Sequence, residues 1–468
     1  MSKQYPEILI ISHTNYSTQL GSSSIPKGEV NNAQKLYDLL KNQGYCVKKI
    51  QDYNELFDID HLQKENAQIL QSITKLNLEL AKEGEEIIES SQNHPTKAFL
   101  SKVQKCIPDP NNSIILLLTW QTNIFPVIAS GIQHQYPFVG KGYCCFPGEY
   151  TFSNFPYHKC YMAPNILLCE SLLAPIEGKK IGIPPWKYFY LPHLCPLESE
   201  KIFSLSKEEK WNYRKNYLTK IAKENHKEIK IDKETIVIAY PTRFLRRKNV
   251  DLLIEAVSEL YPQNPNILLV LKGDYDCEGD FNTLYTDKTS MLIRSAQEKP
   301  WFLWDRNFTP YPEILNIFSS YDICAYLSGA ESGNNTIVEI ASLAIPCLIL
   351  NATTNPYMYK DMALFVEAGE DILGVWIFKQ PIIDDLKEKL SLLIQSKKTR
   401  ESLGKKARQT TLKRYNSQKI LKRIPLLLEA AKSYHKKDKN MENYKKLLLN
   451  QLCEDFKEYD LDHREILQ

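Results

Sequence analysis

Short runs of apolar, often β-branched residues alternate along the chain with longer stretches of helical periodicity. The first apolar run, residues 8–12, leads through a loop rich in Gly and Ser to a helical pattern over residues 29–41. Apolar side chains recur three or four residues apart in that stretch, which is typical of one buried helix face. Repeated alternation of this kind indicates βα units arranged around parallel sheets.

The first half of the chain contains four further strand patterns and one long helical stretch. The helical stretch covers residues 61–91. The strands are predicted at residues 46–50, 114–119, 138–139 and 165–169.

A second series of alternating patterns begins after residues 200–233, which are helical and rich in Lys, Glu and Asn. Its strands are predicted at residues 235–240, 267–271, 301–304, 323–327 and 346–351. The helices between them are predicted at residues 250–260, 282–298, 311–320 and 335–343, and the chain is helical from about residue 381 onward.

These patterns predict an α/β protein of two Rossmann-like, doubly wound domains. The predicted domains are residues 1–200 and 201–415, and residues 416–468 form a helical extension expected to pack back on the first domain. Ligands of doubly wound sheets bind at the carboxyl ends of the strands, so functional residues are expected in the loops that follow the strands.

Composition is that of a soluble globular protein, with 43% hydrophobic and 25% charged residues. The 59 basic and 56 acidic residues leave a net charge of +3, which does not indicate a nucleic-acid partner. The longest apolar run, residues 114–118, is far too short to span a membrane, and no targeting signal precedes the first strand, so a cytoplasmic protein is expected.

Several lysines crowd near the C-terminus. A run of this kind is usually a solvated helix face, and peripheral contact with a membrane surface is the alternative. The lysines concerned are Lys436, Lys437, Lys439, Lys445 and Lys446.

Eleven cysteines without a repeating framework predict reduced thiols rather than disulfides. Some of them lie close to a histidine in sequence, but their spacing fits no standard zinc site, so no metal is predicted. The group consists of Cys144, Cys145, His158, Cys160 and Cys169.

The loop after the strand at 323–327 carries two acidic residues around a helix start. Glu331 lies in the loop, Asn334 or Asn335 suits the N-cap, and Glu339 lies about one turn into the helix. A helix N-terminus suits a phosphate, whereas carboxylates beside it suit hydroxyl groups. The pattern therefore favours Glu331 as an acceptor for a sugar hydroxyl and Glu339 for a ribose, while a capped surface helix is the plainer alternative.

A basic loop follows the strand at 235–240. It carries Arg243 and Lys248 at the carboxyl end of a strand of the same predicted sheet, where fixed cations can neutralise a diphosphate. A basic loop and a carboxylate–Gly–helix unit at one sheet edge form a more specific combination than either alone.

Residues 235–415 resemble the C-terminal domain of the family-4 retaining glycosyltransferases, which have the GT-B fold. Glu331 and Glu339 match the E-x7-E motif of that family, Arg243 and Lys248 match its paired phosphate-binding residues, and Gly273 matches the glycine that ends a strand. Residues 356–370 resemble the loop and strand that follow.

The resemblance implies two Rossmann-like domains facing each other across a cleft. It implies that Arg243 and Lys248 bind the donor diphosphate and that Glu331 contacts the transferred sugar, which makes these three the candidate catalytic residues. The implied donor-binding residues are Gly28, Gly273, Gly333, Asn334, Asn335, Thr336 and Glu339.

The N-terminal resemblance depends on Gly28, in a Lys-Gly-Glu-Val sequence that resembles the glycine-rich loop of the family. Three departures accompany it. Ser332-Gly333-Asn334 replaces the usual Gly-Phe-Gly, and Ala344 stands where a glycine is usual. The family's N-terminal histidine has no clear counterpart, the candidates being His134, His158 and His193.

The predicted activity is transfer of a sugar from a nucleotide-sugar donor to an unidentified acceptor, with retention at the anomeric carbon and without a metal or other cofactor. Three D-x-D tripeptides, which begin at Asp58, Asp274 and Asp460, are weak metal signals because such tripeptides are common. The alternatives are a catalytically idle GT-B protein that binds a nucleotide sugar or a protein partner, another GT-B enzyme such as an epimerase or phosphorylase, and a docking scaffold.

Overall fold

The protein is known from a computed structural model. It describes residues 6–11, 27–50, 103–118, 135–141, 164–180, 182–275, 283–311, 313–329, 331, 333–373 and 376–467. The described chain forms two compact units: the first contains the residues up to 192 and those from 417 onward, and the second contains residues 193–416. The sequence analysis places the corresponding boundaries at 200/201 and 415/416.

The first unit contains a parallel sheet of six strands in the order β2-β1-β3-β4-β5-β6. Its strands are β1 (Glu7–Ile11), β2 (Val47–Ile50), β3 (Ser113–Leu117), β4 (Phe138–Lys141), β5 (Ile166–Cys169) and β6 (Tyr188–Tyr190). Its first helices are α1 (Lys27–Asn42) and α2 (Leu173–Lys180). Every residue of β3 and β5 is buried, as expected of parallel strands covered on both faces.

Helix α1 begins earlier than the sequence predicts, so Gly28 lies in its first turn and not in a loop before the helix. A glycine is tolerated there because the first N–H groups of a helix have no intrahelical partner. The predicted apolar face of α1 is confirmed at Ala33, Leu36 and Leu40, which are buried. The predicted helical stretch at 61–91 lies outside the described residues.

The second unit begins with α3 (Ser199–Phe203) and α4 (Lys207–Glu224) and contains a parallel sheet in the order β12-β11-β10-β7-β8-β9. Its strands are β7 (Ile236–Pro241), β8 (Ile267–Lys272), β9 (Phe302–Asp305), β10 (Ile323–Tyr326), β11 (Cys347–Leu350) and β12 (Ala363–Val366). The helices between them are α5 (Val250–Leu260), α6 (Thr283–Gln297), α7 (Ile314–Phe318), α8 (Asn335–Ser342) and α9 (Asn355–Tyr359). All five strands predicted for this part of the chain are confirmed.

An antiparallel hairpin that the sequence patterns do not predict follows the second sheet. It consists of β13 (Ala368–Leu373) and β14 (Trp376–Pro381). Two helices complete the unit, α10 (Ile383–Gln395) and α11 (Lys397–Arg414).

The chain ends in four helices that belong to the first unit. They are α12 (Ser417–Leu421), α13 (Ile424–Lys436), α14 (Met441–Glu458) and α15 (Arg464–Leu467). The buried face of α13 packs on β3, β4 and β5. The predicted pair of doubly wound sheets with a helical C-terminal region is therefore confirmed.

Candidate functional site

The loop after β7 carries Arg243 and Lys248. A short turn at Arg246–Lys248 leads to Asn249, whose φ of 51° places it in the left-handed region, and α5 then begins at Val250. Asn is one of the few residues other than Gly that enters this region readily. The Tyr240 hydroxyl donates a hydrogen bond to the Lys248 carbonyl (2.7 Å), which holds the turn against the end of β7.

The side chain of Lys248 turns into the protein and meets Glu331. Both side chains are buried, and the Lys248 ammonium forms an ion pair with Glu331 Oε1. Lys248 also donates to the Tyr326 hydroxyl (2.6 Å), at the end of β10. The structure thus brings together two residues that lie 83 positions apart in the sequence.

One oxygen of Glu331 accepts every hydrogen bond that its carboxylate makes with described residues. Oε1 receives Lys248, Arg247 (2.8 Å), the Tyr326 hydroxyl (3.0 Å) and the Ser328 hydroxyl (2.6 Å). The sequence-based expectation places Glu331 against the sugar alone. The structure places it against the cations of the basic loop, and its contact with a sugar stays a prediction.

Burial and charge perturb both members of this pair. The pKa of Lys248 is lowered to about 7, chiefly by burial and also by the charges of Arg247 and Arg243, against the opposing effect of Glu331. Burial of Glu331 would raise its pKa, but Lys248 and Arg247 outweigh burial and hold that pKa at about 2. The carboxyl is therefore ionised throughout the physiological range, whereas the ammonium titrates within it.

Arg243 joins the same cluster, since it is close enough for its charge to lower the pKa of Lys248. Arg247 is a further member that the sequence does not predict. Its guanidinium contacts Glu331 and lies 3.4 Å from the Ser328 hydroxyl. The run Arg246-Arg247-Lys248 is visible in the sequence, but nothing in the run reveals which arginine turns toward the carboxylate.

Helix α8 starts beside this cluster. Asn334 is its N-cap, as predicted, and its side chain accepts from the Ile337 N–H (3.3 Å). Gly333, Asn335 and Thr336 are partly exposed around that helix start. Their placement leaves the positive end of the helix dipole accessible, as an anion site requires.

Glu339 is buried on α8. Burial raises the pKa of Tyr311, and the charges of Glu198 and Glu339 raise it further, so Tyr311 lies near Glu339. The Tyr311 hydroxyl donates to Glu198 (3.1 Å). Glu331 therefore precedes the start of α8, and Glu339 lies within the helix near Tyr311.

Gly273 ends β8 at the same edge of the sheet. Its φ is +143°, and a Cβ there would lie 1.9 Å from the carbonyl oxygen of Thr242, so only glycine fits. Beneath it Lys272 forms a buried ion pair with Asp305 (2.8 Å), which also accepts from the Tyr217 hydroxyl (2.9 Å). This network fixes the ends of β8 and β9 next to the basic loop.

The remaining candidates include buried residues and residues outside the described ranges. His193 and Cys169 are buried, whereas His134, His158, Cys144, Cys145 and Cys160 fall outside the described residues. Asp274 is ion-paired with Arg306 (2.7 Å). Within the described ranges no three His, Cys, Asp or Glu side chains cluster as a metal site requires, and no helix is long and apolar enough to cross a membrane.

Residues 222–410 match the family model described as Glycosyl transferases group 1. The matched region includes Arg243, Lys248, Glu331 and Glu339. No curated protein matches the chain in sequence.

Several solved structures have similar folds, and two of those described here are named as glycosyltransferases. HepE of Anabaena, crystallised with UDP and glucose, is 12% identical, with a TM-score of 0.57 over 91% of this chain and 100% of HepE. A glycosyltransferase from Rickettsia africae is 14% identical, with a TM-score of 0.56 over 97% of this chain and 100% of that chain. WaaG, a glycosyltransferase involved in lipopolysaccharide biosynthesis, is 12% identical, with a TM-score of 0.51 over 86% of this chain and 95% of WaaG.

Identities this low establish the fold alone. Enzymatic activity is supported by the family match, which covers residues 222–410. The chain has the GT-B fold, and residues 222–410 support an enzyme of the glycosyltransferase class.

Proposed function

We propose that the protein transfers a sugar from a nucleoside-diphosphate sugar to an acceptor, with retention at the anomeric carbon and without a metal ion. The observation that supports this most strongly is the convergence of Lys248, Arg247 and Glu331 at the ends of β7 and β10. Arg243 and the start of α8 belong to the same sheet edge.

The cations bind the diphosphate of the donor. Arg243 and Lys248 lie where negative charge develops on the departing oxygen, and the N–H groups at the start of α8 add a fixed dipole. Such groups need no rearrangement when the bond to the sugar breaks, which is why they stabilise the transition state more than water does.

Glu331 binds a hydroxyl of the transferred sugar. Four donors surround Oε1, so Oε2 is the oxygen that remains for a substrate hydroxyl. Glu339 accepts from the ribose on the other side of the helix start. Both roles use the carboxylates as hydrogen-bond acceptors beside an anion site and leave the diphosphate to the cations.

Glu331 is a poor nucleophile because its charge is already shared among Lys248, Arg247 and two hydroxyls. We therefore assign the role of base to the leaving diphosphate. The acceptor hydroxyl attacks the anomeric carbon on the face from which the donor diphosphate departs. The bond between the anomeric carbon and the diphosphate oxygen breaks, and the acceptor proton passes to that departing oxygen. Retention follows from attack on that face.

The test is the double variant Arg243→Ala with Lys248→Ala, measured by turnover of a nucleotide-sugar panel. Loss of both cations should reduce transfer at least about a hundredfold. Lys389→Ala, which removes a lysine paired with Asp385 on α10, is the matched control and should leave turnover unchanged. Undiminished turnover in the double variant would refute the diphosphate site.

Stereochemistry and metal dependence need separate measurements. An α-linked donor should give an α-linked product by proton NMR, and an inverted product would contradict retention. Turnover should persist in excess EDTA, and recovery only upon adding a divalent metal would contradict the metal-free mechanism.

Donor identity is tested by thermal shift with uridine, guanosine and adenosine diphosphate sugars. UDP-glucose is the first choice because HepE was crystallised with UDP and glucose. A bound donor raises the unfolding temperature by an amount that grows with the logarithm of its concentration divided by its Kd.

A catalytically idle protein is the second candidate. Ser332-Gly333-Asn334 differs from the usual motif, and Ala344 keeps the left-handed conformation of a glycine, with φ of 62°. A protein of this kind would bind the nucleotide sugar without consuming it. Binding in the thermal-shift assay without hydrolysis or transfer of any donor would favour this reading.

Peripheral membrane contact is a further proposal, which depends on the basic surface at the corner between α13 and α14. Lys436, Lys437, Lys439 and Lys446 are exposed there, and Leu447 beside them is 41% exposed. Lysines beside an apolar side chain suit an anionic bilayer surface. The protein should sediment with vesicles that contain phosphatidylglycerol and stay in the supernatant with vesicles of phosphatidylcholine.

A further inference from the structure

The turn that follows β11 holds the backbone of Glu331 from both sides. The Thr353 hydroxyl accepts a hydrogen bond from the Glu331 N–H (3.3 Å), and the Thr354 hydroxyl donates one to the Glu331 carbonyl (2.6 Å). The two neighbouring threonines therefore satisfy both polar backbone groups of the residue whose carboxylate lies at the proposed sugar site.

Thr353 adopts an unfavourable conformation to make this contact. Its φ is +51°, in the left-handed region that β-branched residues rarely enter. A glycine at this position would avoid the strain. Strain of this kind persists only where the surroundings enforce it, and it is concentrated at functional sites.

The same segment also holds the residues on either side of Glu331. The Asn355 amide donates to the carbonyl of Leu350 (3.0 Å) and reaches that of Ser328 (3.4 Å), whose hydroxyl donates to Glu331. The Tyr359 hydroxyl accepts from the N–H of Asn334 (2.8 Å), the N-cap of α8. Residues 353–359 thus fix both ends of the loop that carries Glu331.

We propose that Thr353 is a positioning residue for Glu331. Its hydroxyl fixes the peptide that precedes Glu331 and so directs the carboxylate toward the sugar. Thr353 keeps its left-handed conformation because this conformation allows the hydroxyl to make that contact. This inference rests on the proposed function, because it assigns a role toward the same donor sugar. Thr353 contacts the backbone N–H of Glu331 and not Oε1 of its carboxylate.

A positioning role separates stability from activity. Thr353→Gly removes both the strain and the hydroxyl, whereas Thr353→Ala removes the hydroxyl and keeps the strain. Thr353→Gly should therefore be the more stable of the two variants, while turnover falls in both. Thr353→Ser keeps the hydroxyl and should retain turnover.

The experiment measures kcat, donor KM and the urea unfolding midpoint for these three variants. A displaced carboxylate should lower kcat about tenfold in Thr353→Gly and Thr353→Ala, since small misplacements at reacting groups cost one to two orders of magnitude. Affinity for free UDP, GDP or ADP should change by less than about twofold, because the cations that bind the diphosphate are untouched. A purely structural role would reduce nucleotide affinity and turnover together.

Amide hydrogen exchange gives a result that does not depend on catalysis. The Glu331 amide should exchange faster in Thr353→Gly and Thr353→Ala and at the wild-type rate in Thr353→Ser. Unchanged exchange in all three variants, wild-type kcat in Thr353→Gly, or an equal loss in Thr353→Ser would each overturn the inference. If the wild-type protein consumes no donor, the proposed function fails, and the exchange rates alone then decide whether Thr353 restrains Glu331.

Discussion

Lys248 is a buried ammonium beside a buried carboxylate, and the proposed substrate would change its environment. Burial lowers its pKa to about 7, despite the ion pair with Glu331. A bound diphosphate adds negative charge next to the ammonium and raises that pKa again. Binding at a pH above 7 should therefore take up a proton at Lys248.

Titration calorimetry in two buffers of different ionisation enthalpy measures this uptake. At pH 8 binding of the nucleoside diphosphate should take up a substantial fraction of one proton, and the uptake should shrink as the pH falls toward 6, where Lys248 is already protonated. Lys248→Arg is the matched control, because an arginine stays charged and takes up none. Equal heats in both buffers at pH 8 would contradict the prediction.

Ala344 is a second residue whose conformation has a testable cost. Its φ of 62° lies in the left-handed region, which costs an alanine roughly 1–2 kcal/mol. Ala344→Gly removes that cost, and the free energy of unfolding should rise by about 1 kcal/mol in urea titrations. Ala341→Gly, in the regular part of α8, should instead lower it by about 1 kcal/mol.

At the level of single residues, the sequence supplies the candidates but not their partners. Lys248 contacts Glu331, with the charge of Arg243 nearby, because the ends of parallel strands meet at one sheet edge, and the roles of these residues toward a donor stay a prediction. The contact of Arg247 with Glu331 could not be predicted from the sequence. Three basic residues follow one another there, and only the conformation of the turn decides which side chains point toward the carboxylate. The role of Thr353 depends on its positive φ, which the presence of a threonine in the sequence does not predict.

Among the elements, the buried ion pair of Lys272 and Asp305 connects β8, β9 and α4. Tyr217 of α4 donates to the same carboxylate, so three elements meet at one charge. Removing one partner of such a pair leaves an uncompensated charge in the interior. Replacing both partners with apolar residues leaves no buried charge.

A double-mutant cycle tests this connection. Lys272→Met alone should lower the free energy of unfolding by roughly 3–5 kcal/mol, and Lys272→Met with Asp305→Leu should be less destabilised than the single variant. Urea titrations of the wild-type protein, of Lys272→Met, of Asp305→Leu and of the double variant measure these free energies of unfolding. A double variant that loses the sum of the two single losses would show that the charges are independent.

The strands of the second sheet are predictable because their apolar runs alternate with amphipathic helices. The hairpin of β13 and β14 is not, because the sequence pattern after β12 resembles a loop leading directly to a helix. The structure gives the hairpin a structural role at the site: the Lys379 carbonyl accepts from the Asn249 amide (3.0 Å). A Cβ on Gly329 would lie 2.1 Å from the same oxygen, so the end of β10 and the hairpin touch directly.

For the molecule as a whole, the chain leaves its first unit at residue 192 and returns to it at residue 417. The C-terminal helices complete the first unit, where Arg423 and the buried Asp455 form an ion pair between α13 and α14 (2.5 Å). Donor binding, in contrast, is proposed for the second unit alone. Changes in the two units should therefore have separable effects on unfolding.

Differential scanning calorimetry should resolve two transitions. Arg423→Met leaves Asp455 buried without its partner and should lower one transition, at a cost of roughly 3–5 kcal/mol. A nucleoside diphosphate at about a hundred times its Kd should raise the other by the equivalent of about 2.7 kcal/mol. A single transition that responds to both changes would contradict independent units.

The central claim is that Arg243 and Lys248 hold the diphosphate of a nucleotide-sugar donor beside Glu331. The most direct measurement is calorimetric titration of UDP, GDP and ADP into the wild-type protein, into Lys389→Ala and into the double variant Arg243→Ala with Lys248→Ala. The account predicts saturable binding of one nucleotide to the first two proteins and none to the third. Equal affinity in the double variant would contradict it.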